Sequence, residues 1–504
     1  MSKQNRYFLF DLDGTLSESR KPANPEIGSL LRDLSKFGKI VIVSGSDYDF
    51  ICDQMRATWC YLDCNRVMIL PCNGTKRYDW KKSGLQMYKD GQGCWVTDLE
   101  DNKFLDMMGG LWYKSSGYGQ QEIADSAYKQ LSELSSPPAY STTPSTVKLS
   151  GEIASLYQDK KCRTFFTSGG SESVETAIKM AKKYQHLNGK PKAFKVISRR
   201  FSYHGSTAMA VSLGRASYSD PMGPEMIGTI YCPNFDSYRS PIPGNPDIEE
   251  ISKWLIDELE RIIIHNDPDT IAAFIAEPVS TSAGIHFAPE SYWKGIRELT
   301  EKYNIVMIAD EVITGFGRLG EWFGTMVWDV IPDITTTAKA LTSGYVPLGA
   351  VIATEKIANA FIGGKKETFS HLITFGGHPV ATAAALANLN LMKRERMVTN
   401  AKEMGVYLYE KLNQLKDLKY VGDVRGGKGL LATVELVKNK KTKESFDESK
   451  NLYGIMPKLL KENGLLSYRA GDLISVCPPL LINKDEIDFI VEGIRSSILE
   501  LEKI

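Results

Sequence analysis

The chain of 504 residues carries no surplus of charge, because 61 lysines and arginines face 61 aspartates and glutamates. That balance leaves no basic excess to neutralise a phosphate backbone and no acidic excess to hold the chain unfolded, so no nucleic-acid partner is expected. Long apolar runs are missing too. The greasiest stretches, such as Ile305 to Ala309, meet charges far short of the ~18–20 residues that cross a bilayer, so no membrane partner is expected either. Cysteine is sparse. The 8 cysteines are scattered, five of them before residue 95, without the short paired spacings of a secreted disulfide framework. All 6 histidines lie beyond residue 185, so no local zinc-type set can form around Cys60 and Cys64, and no metal site is expected. Acidic residues stand in Tyr7-Phe8-Leu9-Phe10-Asp11-Leu12-Asp13, where a signal or transit peptide has none, which makes the expected location cytoplasmic. Repeats of solenoid period and low-complexity tracts are also lacking.

What is present is the composition of a soluble protein with large cores, 42% hydrophobic and 24% charged. The length corresponds to roughly three units of ~150 residues. Up to about residue 80, apolar runs (Tyr7 to Phe10, Lys39 to Val43, Val67 to Leu70) alternate with helical patterns (Pro25 to Lys36, Asp47 to Thr58) in the rhythm of a small parallel sheet. The polar, Gly-rich segment from Tyr78 to Gly93 then reads as a linker or exposed hairpin. Beyond it, buried strands at Ala193 to Ser198, Ile271 to Ala276 and Ile305 to Ala309 alternate with helices at Glu172 to Gln185 and Tyr292 to Lys302, an α/β pattern. From Thr382 onward, helices (Thr382 to Lys393, Asn400 to Leu415), a strand-like run (Gly429 to Leu436) and a last helix (Lys484 to Leu501) predict a smaller lobe.

Four local signals bear on chemistry. Thr167-Ser168-Gly169-Gly170-Ser171-Glu172 is a Gly-rich turn feeding a long helix, where backbone N–H groups and the helix dipole can hold a phosphate; a capped helix start looks the same. Ile305 to Ala309 is an apolar strand that runs into Asp310, and a buried carboxylate needs a cationic partner or must neutralise itself. In Asp333-Ile334-Thr335-Thr336-Thr337-Ala338-Lys339-Ala340-Leu341, Lys339 is a lone lysine in a semi-apolar stretch, where desolvation lowers an amine pKa and favours imine formation; a lysine reaching to solvent is the alternative. Thr374-Phe375-Gly376-Gly377-His378-Pro379 is by itself a turn before a helix.

Taken in order, with Tyr203-His204-Gly205, Glu277-Pro278, Asp310-Glu311-Val312-Ile313-Thr314-Gly315-Phe316-Gly317-Arg318 and Val424-Arg425-Gly426, these elements resemble the class III aminotransferases, of fold type I among the pyridoxal-phosphate enzymes. The resemblance covers about Gly93 to the C-terminus. It implies an α/β fold with a large mixed-sheet domain and a small α+β domain, and pyridoxal 5'-phosphate as cofactor. By the same resemblance Lys339 carries the cofactor as an aldimine and shuttles the proton, and Asp310 holds the pyridine nitrogen protonated. Gly170 and Ser171 take the phosphate, and Tyr203 and Val312 cover the two ring faces, with His204 beside them. Thr374 reaches the phosphate of a neighbouring subunit, which implies a homodimer with shared sites.

Leu111-Trp112-Tyr113 resembles an element of the omega-amino acid or amine:pyruvate branch in which the Trp lines the pocket; a core Trp is the alternative for Trp112. Arg425 resembles the family's carboxylate-binding arginine, with a surface salt bridge as its alternative. The implied activity is transfer of an amino group from an omega-amino acid or primary amine to pyruvate or another 2-oxo acid. An aminomutase or lyase of the same fold stays open.

Phe10-Asp11-Leu12-Asp13-Gly14-Thr15-Leu16, Val43-Ser44-Gly45-Ser46-Asp47 and Pro71-Cys72-Asn73-Gly74-Thr75 resemble the phosphomannomutase branch of the haloacid-dehalogenase superfamily. That likeness implies a small Rossmann-like fragment with Asp11 as nucleophile and Asp13 as acid and base. A downstream lysine and a further acidic pair are needed for such a site, and the chain changes character before they appear. The expectation is a truncated structural appendage rather than a phosphatase or phosphomutase. The expected division is 1–80 for this fragment, 81–150 for a linker and the start of the aminotransferase part, 151–382 for the cofactor-binding domain and 383–504 for the small domain.

Overall fold

A computed structural model of the chain describes residues 7–11, 25–36, 39–43, 55, 67–70, 86–214, 226–244, 246–468 and 470–504. The contacts divide it into two units, Met1–Tyr88 and Lys89–Ile504. In the first, three strands, β1 (Tyr7–Asp11), β2 (Lys39–Val43) and β3 (Val67–Leu70), run parallel in that order. The helix Pro25–Ser35 connects β1 to β2. The segments Leu12 to Leu16 and Ser44 to Asp47, the turn Pro71 to Thr75 and nearly all of the expected helix Asp47 to Thr58 lie outside the described residues.

The second unit is built on a seven-stranded sheet in the order β7-β13-β12-β11-β10-β8-β9. Its strands are β7 (Arg163–Thr167), β8 (Lys195–Arg199), β9 (Thr229–Cys232), β10 (Ile271–Ala276), β11 (Val306–Asp310), β12 (Ile334–Thr337) and β13 (Gly349–Ala353). Only β13 runs antiparallel to its neighbours, so the sheet is mixed. Strands β10 to β13 are buried along their whole length, as a sheet covered by helices on both faces requires. The helix Gly170–Leu187 starts directly behind β7 and turns one face of nine buried residues, Ser173 to Gln185, onto the sheet. Asp247 and Glu250 form a capping box at the head of the helix Ile248–His265.

The smaller lobe draws on both ends of this unit. Strands β14 (Val421–Arg425), β15 (Ala432–Leu436) and β17 (Leu473–Val476) make an antiparallel sheet. A second sheet joins β16 (Leu465–Leu466) to β6 (Lys103–Asp106), β5 (Trp95–Asp98) and β4 (Tyr88–Gln92). One apolar cluster therefore includes Leu105 and Ile123 together with Leu465 and Ile498. The segment after Tyr78, expected as linker or hairpin, ends as the β4–β5 hairpin closed by Gly93 (φ +59°).

Several boundaries differ from the periodicity for local reasons. The helix expected from Thr382 begins at Pro379, because a proline at the first helical position has its φ preset and no N–H to lose. The strand expected from Gly429 begins at Ala432, since Gly429 (φ +64°) lies against the backbone of Arg318 and Leu319. No helix among the described residues is long and apolar enough to cross a membrane. Cys94, Cys162, Cys232 and Cys477 are free and buried, and burial pushes the Cys162 thiol up to about 11 and that of Cys232 to about 12.

Candidate active site

The C-terminal ends of β8, β10, β11 and β12 open into one cleft with about 620 Å³ of space between its atoms. Open α/β sheets place their sites at this edge, because the loops there are free to carry chemistry while the strands hold them. Gly170, Ser171, Tyr203, His204, Asp310, Val312 and Lys339 all line it. These residues lie up to 169 positions apart in the chain, and three of the four local signals meet here.

Asp310 is the last residue of β11 and is buried. Its Oδ1 accepts from the Thr336 hydroxyl (3.1 Å) and the Val312 N–H (3.2 Å), and its Oδ2 lies 2.6 Å from His204 Nδ1. Beyond it, Lys339 begins a short turn after β12 with φ +40°, a left-handed conformation that a side-chain-bearing residue holds only when its surroundings impose it. Asn388, fully buried on the helix Pro379–Arg394, supplies part of that imposition. Its Nδ2 donates to the carbonyls of Ala340 (2.9 Å) and Leu341 (3.1 Å), and its Oδ1 accepts from Ser116 Oγ (2.6 Å).

The other wall is the start of the helix Gly170–Leu187. A Cβ on Gly170 would sit 3.1 Å from Val312, so glycine lets the two segments close on each other. Gly205 (φ +138°) approaches Ser171 in the same way, and Ser206 N–H donates to Ser171 Oγ at 3.0 Å. Glu172, an acid in the first turn, is turned away from this role, since its carboxylate accepts from the Ser168 N–H at 2.8 Å and closes the helix start.

Comparison with known proteins decides the family. The sequence model of the class III aminotransferases matches residues 79–498. The chain belongs to the class III aminotransferases. It is 37% identical over 414 residues to the putrescine–pyruvate aminotransferase of Pseudomonas aeruginosa, covering 81% of this chain and 90% of that one. It is 33% identical over 475 residues to gamma aminobutyrate transaminase 3 of Solanum lycopersicum, covering 90% of each. Among solved structures, an (S)-enantioselective omega-transaminase from Thermomicrobium roseum superposes with a TM-score of 0.81 at 38% identity, over 85% of this chain and 95% of that one.

Class III aminotransferases depend on pyridoxal phosphate, and the cleft has what that cofactor requires. An amine, a buried carboxylate held by three partners, and a helix start whose glycine keeps the approach open all face one space. Of the motif Asp310 to Arg318, Asp310, Val312, Ile313 and Thr314 line the cleft while Glu311 and Arg318 brace its frame. Buried Glu311 accepts from the N–H groups of Gly324 and Thr325 and the hydroxyls of Thr314 and Thr325. Arg318 donates to the carbonyls of Leu430 (2.9 Å) and Pro478 (2.6 Å).

Trp112 is buried and its ring centroid lies 6.0 Å from Lys339 Nζ. Arg425 lies outside the set that lines the cleft. Its Nε and one terminal nitrogen donate to the Gly284 carbonyl (2.9 and 2.7 Å), and the other pairs with Glu435 (2.7 Å) and Asp423 (2.9 Å). Thr374 is exposed and likewise does not line the cleft. Glu277 does line it, a position for which the sequence motif suggested no role. Burial pushes its carboxyl up, against the pull of nearby His204 and Arg199. The signal is the one that marks Asp310, an acid at the C-terminal end of a wholly buried strand. Among the described residues no group of three or more His, Cys, Asp or Glu side chains is arranged to hold a metal ion.

Proposed function

We propose that this aminotransferase moves the amino group of a primary amine or omega-amino acid to pyruvate or another 2-oxo acid. The observation that carries the reading is the buried Trp112 ring, which packs in the core outside the cleft lining with its centroid 6.0 Å from Lys339 Nζ, together with a cleft lining that includes no arginine. An apolar wall beside the reacting amine suits a donor that has no carboxylate on the reacting carbon. Relatives that include a putrescine–pyruvate aminotransferase and an omega-transaminase support the same branch.

Bound in this cleft, pyridoxal phosphate supplies the electron sink for the reacting carbon. Lys339 Nζ would be its attachment point and would carry the proton to and from that carbon. Asp310 holds a proton on the ring nitrogen, with His204 behind it. Gly170 and Ser171 offer donors to the phosphate, and Tyr203 and Val312 enclose the ring. Arg425 receives the carboxylate of the 2-oxo acid. The Nε and Nη2 side of its fork is occupied by a single neutral carbonyl, that of Gly284, which a carboxylate can replace with two charge-assisted bonds, while Nη1 stays paired with Glu435 and Asp423.

Thr374 completes the phosphate site of a second copy in a homodimer. Its loop exposes Leu372 (77%) and Phe375 (67%), apolar surface that a partner subunit would cover. The test is incubation of the cofactor-supplemented protein with β-alanine, putrescine or 1-phenylethylamine and pyruvate. Alanine forms under this reading, whereas ammonia or an isomerised amine without alanine would mark a lyase or aminomutase.

A second reading concerns the first unit alone. Asp11 ends β1 in a parallel sheet, the position in which a haloacid-dehalogenase-type nucleophile stands. Mg²⁺-dependent phosphate release that disappears in Asp11→Asn is what a phosphatase or phosphomutase there would show.

A further inference from the structure

Asp106 closes β6 and has no exposed surface. Burial pushes its carboxyl up, although the Tyr118 hydroxyl and the N–H groups of Gly110, Met108 and Gly109 pull it down. Its Oδ1 accepts from Met108 N–H at 3.1 Å, and its Oδ2 accepts from Gly110 N–H at 2.5 Å and from Tyr118 Oη at 2.6 Å. These donors stand on both sides of one loop.

That loop is bent to an unusual degree. Gly109 (φ +55°), Gly110 (φ +67°) and Trp112 (φ +64°) are all left-handed. A Cβ on Gly110 would lie 2.5 Å from the Tyr113 ring, and one on Gly109 would lie 3.1 Å from the Cys477 carbonyl. A tryptophan keeps such a backbone only where its surroundings over-determine it. The far end of the loop is tied to the turn of Lys339, since Ser116 N–H donates to Ser343 Oγ (2.9 Å) and Tyr345 Oη donates to the Gly117 carbonyl (3.2 Å). The near end has the Asp106 carboxylate.

We propose that Asp106 is a positioning residue that sets the size of the amine pocket by clasping the loop that holds Trp112 beside Lys339. The inference rests on the amine-transferring reading above and adds what fixes its selectivity. Asp106 is not among the residues that line the cleft. It acts through Trp112 alone, so its loss alters which amines fit rather than whether the cofactor binds.

The test compares wild type, Asp106→Asn, Tyr118→Phe, Trp112→Ala and the double variant Asp106→Asn/Trp112→Ala, all loaded with pyridoxal phosphate. The readout is the ratio of kcat/KM for β-alanine to kcat/KM for 1-phenylpropylamine. The ratio falls about tenfold in Asp106→Asn and about threefold in Tyr118→Phe, which loses one of the three bonds. In the Trp112→Ala background the Asp106 change no longer moves it. An unchanged ratio in both single variants, or an equal shift with Trp112 removed, overturns the inference.

Hydrogen exchange across residues 106–113 reads the clasp without any amine. Asp106→Asn speeds it about tenfold, and unchanged exchange overturns the inference whatever the reaction is. A wild type that transfers no amino group from any amine would instead overturn the function reading, with the exchange result still deciding the clasp.

Discussion

His204 and Asp310 form a buried pair, with imidazole Nδ1 2.6 Å from carboxylate Oδ2. An ionised Asp310 accepts at both oxygens, so Nδ1 donates, and His204 Nε2 finds no hydrogen-bond partner among the described residues. The Asp310 carboxylate is therefore itself held by three groups, Thr336, Val312 and His204.

Removing that support has graded effects. A hydrogen bond to a charged group contributes about 1.5–3 kcal/mol, so His204→Ala lowers turnover by about 10–100-fold with cofactor still bound. Asp310→Asn costs about 100–1000-fold, because it removes the charge itself. Single-turnover kinetics with one amine donor check both.

The Asn388 side chain makes three hydrogen bonds to oxygen and one to the Met392 sulfur with no exposed surface, two of them to the turn that presents Lys339. Asn388→Leu strands the Leu341 carbonyl and the Ser116 hydroxyl, at a cost of about 2–3 kcal/mol measured by urea unfolding. Asn388→Asp is worse, because an acceptor then faces two carbonyls.

His286 sets an acid limit. Burial, with the nearby charge of Arg425, lowers its pKa from 6.5 to about 4. The unfolded chain takes up this proton near pH 6.5 and the folded one only near 4. Stability from neutral His286 is therefore full above 6.5 and is lost as pH falls towards 4. The Tm falls between pH 6.5 and 4, and His286→Gln flattens that part of the profile.

Much of this site was legible before the structure because its signals are local. The strand Ile271–Ala276 matches its apolar run residue for residue, and Asp310 stands at the end of another such run. Lys339 was visible as a lone lysine in a semi-apolar stretch. The strand Ile334–Thr337 was harder to see, since three of its four residues are threonines that alternate with nothing. Their hydroxyls pair with partners distant in sequence, Thr335 with Tyr157 and Thr336 with Asp310.

Arg425 shows the same limit. Its chemistry was readable, but Gly284 and Glu435, which now hold it, reach it only through the fold. The clasp at Asp106 was hidden for another reason. A carboxylate ending a four-residue strand, Lys103–Asp106, looks like any loop acid until the N–H groups of Met108 and Gly110 are seen to converge on it.

The most direct test of the account is the visible absorption of the purified protein with pyridoxal phosphate, before and after a primary amine and then pyruvate, beside Lys339→Ala. The account predicts a lysine-dependent band that the amine bleaches and pyruvate restores, with neither change in Lys339→Ala. A wild type without such a band, or a Lys339→Ala variant that turns over at the wild-type rate, would contradict it.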